Sequence, residues 1–150
     1  MSDVAPVLVL AVGNPSRGDD AIGPVLAARI EAAGWPGVEV ITEFQLQVEN
    51  ALDLVGRERT LFIDAGTGTP GPLELRKITP LVPGAAYTSH ALSPEAVLGT
   101  YARVQAESPP ESWILCVRGE RFELGEGLSP DAARNVEAAW EATRAWLAAE

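Results

Sequence analysis

The sequence predicts an α/β fold: one domain over residues 1–150, built on a doubly wound, mainly parallel five-stranded sheet with helices on both faces. Three observations carry this. Val7–Val12 is a near-continuous apolar run, the pattern of a central parallel strand buried on both faces. Strand-like and helix-like segments then follow in the order β-α-β-α-β-β-α-β-α. A hydrophobic content of 47% in 150 residues is enough for one domain with a substantial core.

Each element follows from local chemistry. After the first strand, Gly13-Asn-Pro-Ser-Arg-Gly-Asp-Asp-Ala-Ile-Gly23 forms a Gly-bounded turn. Ile22, Val25, Leu26, Ile30 and Ala33 then fall at helical spacing. Gly34-Trp-Pro-Gly37 breaks that helix, and Val38–Thr42 reads as a second strand. Val48, Ala51, Leu52 and Val55 predict a second helix, closed by Gly56 as its C-cap. Thr60–Ile63 is a third strand ending at Asp64-Ala-Gly-Thr-Gly68. Leu73–Ile78 alternates weakly between Pro72 and Pro80, as an edge strand does. Ser93 and Pro94 make a cap and first position for a helix running to about Arg103. Trp113–Val117 is the fifth strand. Ser129-Pro130-Asp131 opens the last helix, whose core stripe is Val136, Trp140, Thr143 and Leu147.

Composition narrows the function. The net charge of −10 argues against nucleic acid or an anionic membrane as partner, because both demand clustered Lys and Arg. A basic peptide or a metal-bearing protein suits this surface better. No stretch approaches the roughly 20 apolar residues of a membrane span, and no basic-then-apolar leader opens the sequence, so a cytoplasmic location is expected. The single Cys116 rules out an intrachain disulfide and a CxxC site. Within Trp113–Val117 it reads as a small buried core residue.

The Asn14–Asp20 loop is the most informative segment. Gly13 and Gly18 have the Gly-x-x-x-x-Gly spacing of a phosphate loop, but Asp19-Asp20 stands where Lys-Ser/Thr would neutralise phosphate. The dinucleotide pattern is also missing. Two carboxylates here attract a cation. The ordinary role of such an Asp is to cap the helix, and Asp19 reads as that cap, so Asp19→Asn is expected to cost little. Asn14 is expected to hold the loop through side-chain hydrogen bonds.

Ligands of open α/β sheets bind beyond the carboxyl ends of the strands, at the switch in strand order. Asp20 follows strand one, Asp64 closes strand three, and His90, the only histidine, lies after strand four. The ordinary roles of Asp64 and His90 are an Asx-turn and a hydrogen-bonded loop residue. Together the three make an O,O,N set with open positions, better suited to zinc or nickel than to calcium. His-Glu-x-x-His and Gly-x-Ser-x-Gly are absent, and Asp64-Ala-Gly-Thr only approaches an aspartic-protease motif.

Val12-Gly-Asn14, Asp19-Asp20-Ala-Ile-Gly23, Phe62-Ile-Asp64-Ala65 and Ser89-His90, at their spacings, resemble the endopeptidases that mature the large subunit of nickel–iron hydrogenases. The similarity runs over nearly the whole chain. It implies a doubly wound fold and removal of a short C-terminal extension from the precursor after nickel insertion. It implies Asp20, Asp64 and His90 as contacts to nickel already held by the precursor's cysteines. Two mechanisms are then open: the metal, or a water held near it, polarises the scissile carbonyl, or Asp20 or Asp64 activates the water as a general base. Asp20 stands where many relatives carry Glu, one methylene longer. No permanent cofactor is then expected, although zinc or another divalent ion can occupy such a site in vitro. Two segments depart from the family: Glu43–Glu49 where some relatives have Gly-Gly-Thr, and Arg118-Gly-Glu120 where others have Pro-Glu. Both lie near the predicted site, which makes Gln45, Arg118 and Glu120 candidates for substrate contact, and both resemble the branch serving soluble NAD-linked hydrogenases. Two further readings stay open on the residues alone: a nickel-sensing assembly chaperone that does not hydrolyse, and a hydrolase holding its own zinc. Oligomeric state is not encoded in any pattern here.

Overall fold

The strand Val7–Val12 (β1) lies inside a five-stranded sheet whose other members are Val38–Glu43 (β2), Arg59–Gly66 (β3), Leu73–Ile78 (β4) and Glu111–Arg118 (β5). In this computed structural model, which describes residues 4–81 and 92–149, the strand order is β2-β1-β3-β5-β4. All pairings are parallel except β4 with β5, which places β4 antiparallel at one edge. The apolar run of β1 is explained by its place between β2 and β3, with Leu8, Val9, Leu10 and Ala11 all at 0% exposure.

Alternation along the strands sorts the core into two layers. Val9, Ala11, Leu61, Ile63, Leu115 and Val117 pack beneath helices Ile22–Ala33 (α1) and Pro130–Ala148 (α3). Leu8, Leu10, Phe62 and Ile114 face the opposite way, toward helix Pro94–Gln105 (α2) and the segment after β2. Helices therefore cover both faces, as the sequence predicts. Ser93 and Ser129 cap α2 and α3 by accepting from Ala96 N and Ala132 N, each followed by Pro at the first helical position. Gly34 ends α1 in the left-handed region. No helix among the described residues is long and apolar enough to cross a membrane.

The second predicted helix is corrected by the structure. Val48–Leu54 is a 3-10 helix, and Gly56 does not cap it. The cause is Asn50, buried at 3% exposure. Its Oδ1 accepts from Gln47 N at 2.8 Å, while its Nδ2 donates to Glu43 and Asp53. That anchor favours i to i+3 pairing, seen in Asn50 N to Gln47 O and Val55 N to Leu52 O. With three residues per turn, Ala51 and Leu54 share the inward face. Val48, Leu52 and Val55, read from the sequence as the inward stripe, are exposed. Val55 (φ −63, ψ 127) and Gly56 (φ 82) instead have the dihedrals of a type II turn, closed by Arg57 N to Leu54 O at 3.2 Å.

The chain leaves β1 for β2 on one side and returns across to β3 on the other. The connections diverge at that point, so a crevice opens between the carboxyl ends of β1 and β3.

Candidate functional site

The crevice is shaped first by how β1 ends. Gly13 N donates to Glu43 O of the neighbouring strand at 2.9 Å, and a Cβ on Gly13 would collide with the carbonyl oxygen of Asp20. Only glycine lets the loop fold back this tightly. Asn14 then holds the loop as the sequence suggests: its Oδ1 accepts from Ser16 N at 2.8 Å, an Asx-turn. Arg17 N bonds Asn14 O and Asp20 N bonds Arg17 O, and Gly18–Ala21 closes as a short 3-10 helix. Asp20 ends this path half-buried, with Oδ2 accepting from Asn14 N at 2.8 Å.

Asp64 arrives by a different route. It lies within β3, beyond the last residue paired with β1, and opposite Cys116 of β5. Its Oδ1 accepts from Ala65 N at 2.8 Å. Burial pushes its carboxyl from the ordinary 3.8 up to about 7; the Ala65 N–H opposes the rise and the charge of Asp20 adds to it. Asp64 is therefore poised between its two protonation states near neutral pH.

Asp20 and Asp64 face one cleft of about 470 Å³. Val12, Phe44, Leu46, Phe62 and Leu92 supply apolar walls, and Gln45 and Ser93 are its other polar lining residues. Two carboxylates in one cleft, with the Asp64 proton affinity raised by burial, can hold a cation, or bind and deprotonate a water.

Of the residues singled out in the sequence, Asp20, Asp64 and Gln45 are thus brought together. Arg118 and Glu120 do not line this cleft; their side chains pair with each other at 2.9 Å, and Arg118 also reaches Thr69 O at 3.4 Å. His90 lies outside the described residues, while Leu92, two positions further along the chain, lines the cleft. Among the described residues, no three His, Cys, Asp or Glu side chains gather closely enough to hold a metal ion by themselves.

Two expectations change. Asp19 does not cap α1, whose N-cap is Ala21 and carries no side-chain cap bond. Its carboxylate is 0% exposed and accepts from Glu120 N, Arg121 N, Ser129 N and Ser129 Oγ, across the carboxyl edge of the sheet. Burial alone would raise this carboxyl, but those donors together hold it below the ordinary 3.8. Cys116 is half-buried rather than a core residue, with its Sγ 3.6 Å from Thr69 Oγ1. Sequence reasoning also missed Phe44, 69% exposed against the cleft. An aromatic ring in the polar Glu43–Glu49 stretch was the available signal.

No protein-family model and no curated protein sequence matches this chain. Solved structures do. The hydrogenase maturating endopeptidase HybD from E. coli aligns with a TM-score of 0.71 at 23% identity, over 94% of this chain and 91% of that one. A hydrogenase 2 maturation peptidase from a Thaumarchaeota archaeon aligns with a TM-score of 0.68 at 22% identity, covering 96% and 99%. The [NiFe] hydrogenase maturation protease HycI from Thermococcus kodakarensis gives 0.67 at 21%, covering 97% and 94%. The chain has the fold of these proteases along almost its entire length.

Proposed function

We infer that this chain is an endopeptidase that removes the C-terminal extension of a nickel–iron hydrogenase large-subunit precursor after nickel insertion. The observation that supports this most is the pairing of Asp20 and Asp64 in one cleft at the switch point of the sheet, in the fold of the maturation proteases. Nickel is cargo of the substrate in this reading, held by the precursor's own cysteines. Asp20, Asp64 and His90 contact it and so register that the metal is in place. A checkpoint of this kind needs no permanent cofactor. A cytoplasmic location belongs to the same proposal.

The chemistry asked of the protein is amide hydrolysis. Water adds to the scissile carbonyl as a C–O bond forms, a carboxylate takes its proton, and that proton passes to the departing amine as the C–N bond breaks. Asp20 or Asp64 makes the transfer; with no metal beside it the Asp64 carboxyl titrates at about 7, so it both accepts and returns a proton at neutral pH. Gln45 and the apolar walls receive the extended peptide. Arg118, at the end of β5, and Glu120, on the loop that follows, contact the body of the precursor rather than the peptide being cut.

The test is to incubate the protein with nickel-loaded and nickel-free precursor and measure intact masses. Loss of a C-terminal peptide from the loaded form alone supports the proposal. Stable binding with no mass change would instead assign a nickel-sensing chaperone. Cleavage of both forms would keep the peptidase and remove the checkpoint.

A further inference from the structure

We propose that Asp19 is a positioning residue that sets the Asp20 carboxylate by clasping two loops together, a role that rests on the peptidase reading above. All four side-chain contacts of Asp19 are to donors. Oδ1 accepts from Ser129 N at 2.7 Å; Oδ2 accepts from Glu120 N at 2.6 Å, Arg121 N at 2.9 Å and Ser129 Oγ at 2.8 Å. The Ser129 hydroxyl in turn accepts from Ala132 N and caps α3. One buried carboxylate thereby joins the loop after β1 to the loop after β5 and to the start of α3.

The backbones of the two loops are laced around this contact. Asp19 N donates to Arg121 O at 2.6 Å, Gly18 N to Glu126 O at 3.0 Å and Gly125 N to Ser16 O at 2.7 Å. Gly119 lies directly against the clasp, where a Cβ would stand 2.9 Å from the Cβ of Asp19. The loop between Asn14 and Asp20 is consequently held from its outer side. On its inner side the next residue, Asp20, presents its carboxylate to Asn14 N and to the cleft. Moving Asp19 must move Asp20, because one peptide unit separates them and the 3-10 helix leaves no slack.

The chemistry at position 19 is specific. Four donors require a group that only accepts, and an ionised carboxylate has about four lone-pair sites. An asparagine of the same shape offers one oxygen and turns an NH2 toward N–H groups. Asp19→Asn is therefore a large perturbation of charge and bonding with almost none of volume.

The experiment follows amide hydrogen exchange in Asp19→Asn, together with kcat and KM on nickel-loaded precursor, normalised to folded protein. The informative amide is Asn14, which bonds the Asp20 carboxylate and makes no bond to the Asp19 side chain. Its protection should fall about tenfold or more, as local opening becomes easier. By the same displacement kcat should fall about tenfold while KM changes little, as expected when a group acting in the transition state is misplaced. Faster exchange confined to Glu120, Arg121 and Ser129, with Asn14 and kcat unchanged, would overturn the proposal and leave a purely structural clasp. Should Asp19→Asn fail to fold, Ser129→Ala keeps the charge and removes one of the four bonds to Asp19, along with the hydroxyl cap of α3. It must then weaken Asn14 protection in the same direction by a smaller factor, and an unchanged Asn14 overturns the proposal. If the wild type cuts no precursor, the peptidase reading falls, and the Asn14 amide still decides whether Asp19 controls Asp20.

Discussion

Replacing Asp64 by asparagine should make this protein more stable and inactive, and the stability gain should depend on pH. Asp64 ionises near 3.8 when unfolded and at about 7 when folded, because burial in the cleft disfavours the charge. Between those values the folded chain holds a proton that the unfolded chain has released, so stability falls as pH rises. The penalty is absent below about 3.8, grows through the interval and is complete above 7. Three pH units at about 1.4 kcal/mol each give an upper bound of about 4 kcal/mol. The carboxyl is only partly screened from the cleft's water, which reduces the figure to about 2 kcal/mol. Asparagine keeps the oxygen that accepts from Ala65 N and never ionises.

For a domain of this length, about 2 kcal/mol corresponds to a rise in Tm of roughly 4–8 °C. The assay is paired thermal melts of wild type and Asp64→Asn between pH 5 and pH 8, with precursor cleavage measured on the same preparations. The gap should widen steadily with pH and reach its maximum near pH 8. A variant that melts at or below the wild type at pH 8, or a gap independent of pH, would refute the claim that a buried, poised carboxyl is strained into this cleft.

Further outcomes follow from the same geometry. Asp19 is held below the ordinary 3.8, so its contribution is complete above that pH and is lost as pH falls through the folded value. Asp19→Asn should accordingly lower the unfolding free energy measured in urea at pH 7, by about 1–3 kcal/mol for each donor left unpaired, with the difference from wild type closing in strong acid. Phe62→Ala removes a fully buried ring from the layer beneath the cleft and should cost about 3–5 kcal/mol in denaturant unfolding. Gln45→Ala should raise KM for the precursor with little change in Tm, since Gln45 faces the cleft from a loop. His90→Ala should abolish processing of nickel-loaded precursor, measured by intact mass, if His90 reads the metal.

Much of the sheet was legible because its signals are local. The apolar runs of β1 and β3 announce strands buried on both faces, and Ser-Pro pairs mark the starts of α2 and α3. Strand ends were less legible: β3 continues through Asp64 to Gly66 because β5 is long enough to pair with it, which is a property of the partner. The 3-10 helix after β2 was misread because Asn50 finds Glu43 and Gln47 only once the chain has turned. Asp19 and Asp20 show the limit most clearly. They are chemically identical and adjacent, yet one ties together loops 101–110 residues apart while the other faces the cleft. Strand order brings Asp20 and Asp64 to one cleft, while His90, read with them from the sequence, lies outside the described residues. The donors that set the role of Asp19 belong to Glu120, Arg121 and Ser129, and no local pattern reveals that the fold brings them to Asp19.

In the proposed reaction Asp20 and Asp64 together form the hydrolytic site. A time course of intact precursor mass tests this most directly, with nickel-loaded substrate and equal amounts of folded wild type, Asp20→Asn and Asp64→Asn. The wild type should release the C-terminal peptide, and both variants should leave the precursor at full length over the same period, with Asp64→Asn melting above the wild type and Asp20→Asn no lower than about 2 °C below it, since neither loses buried packing. Cleavage at the wild-type rate by either variant would contradict the claim.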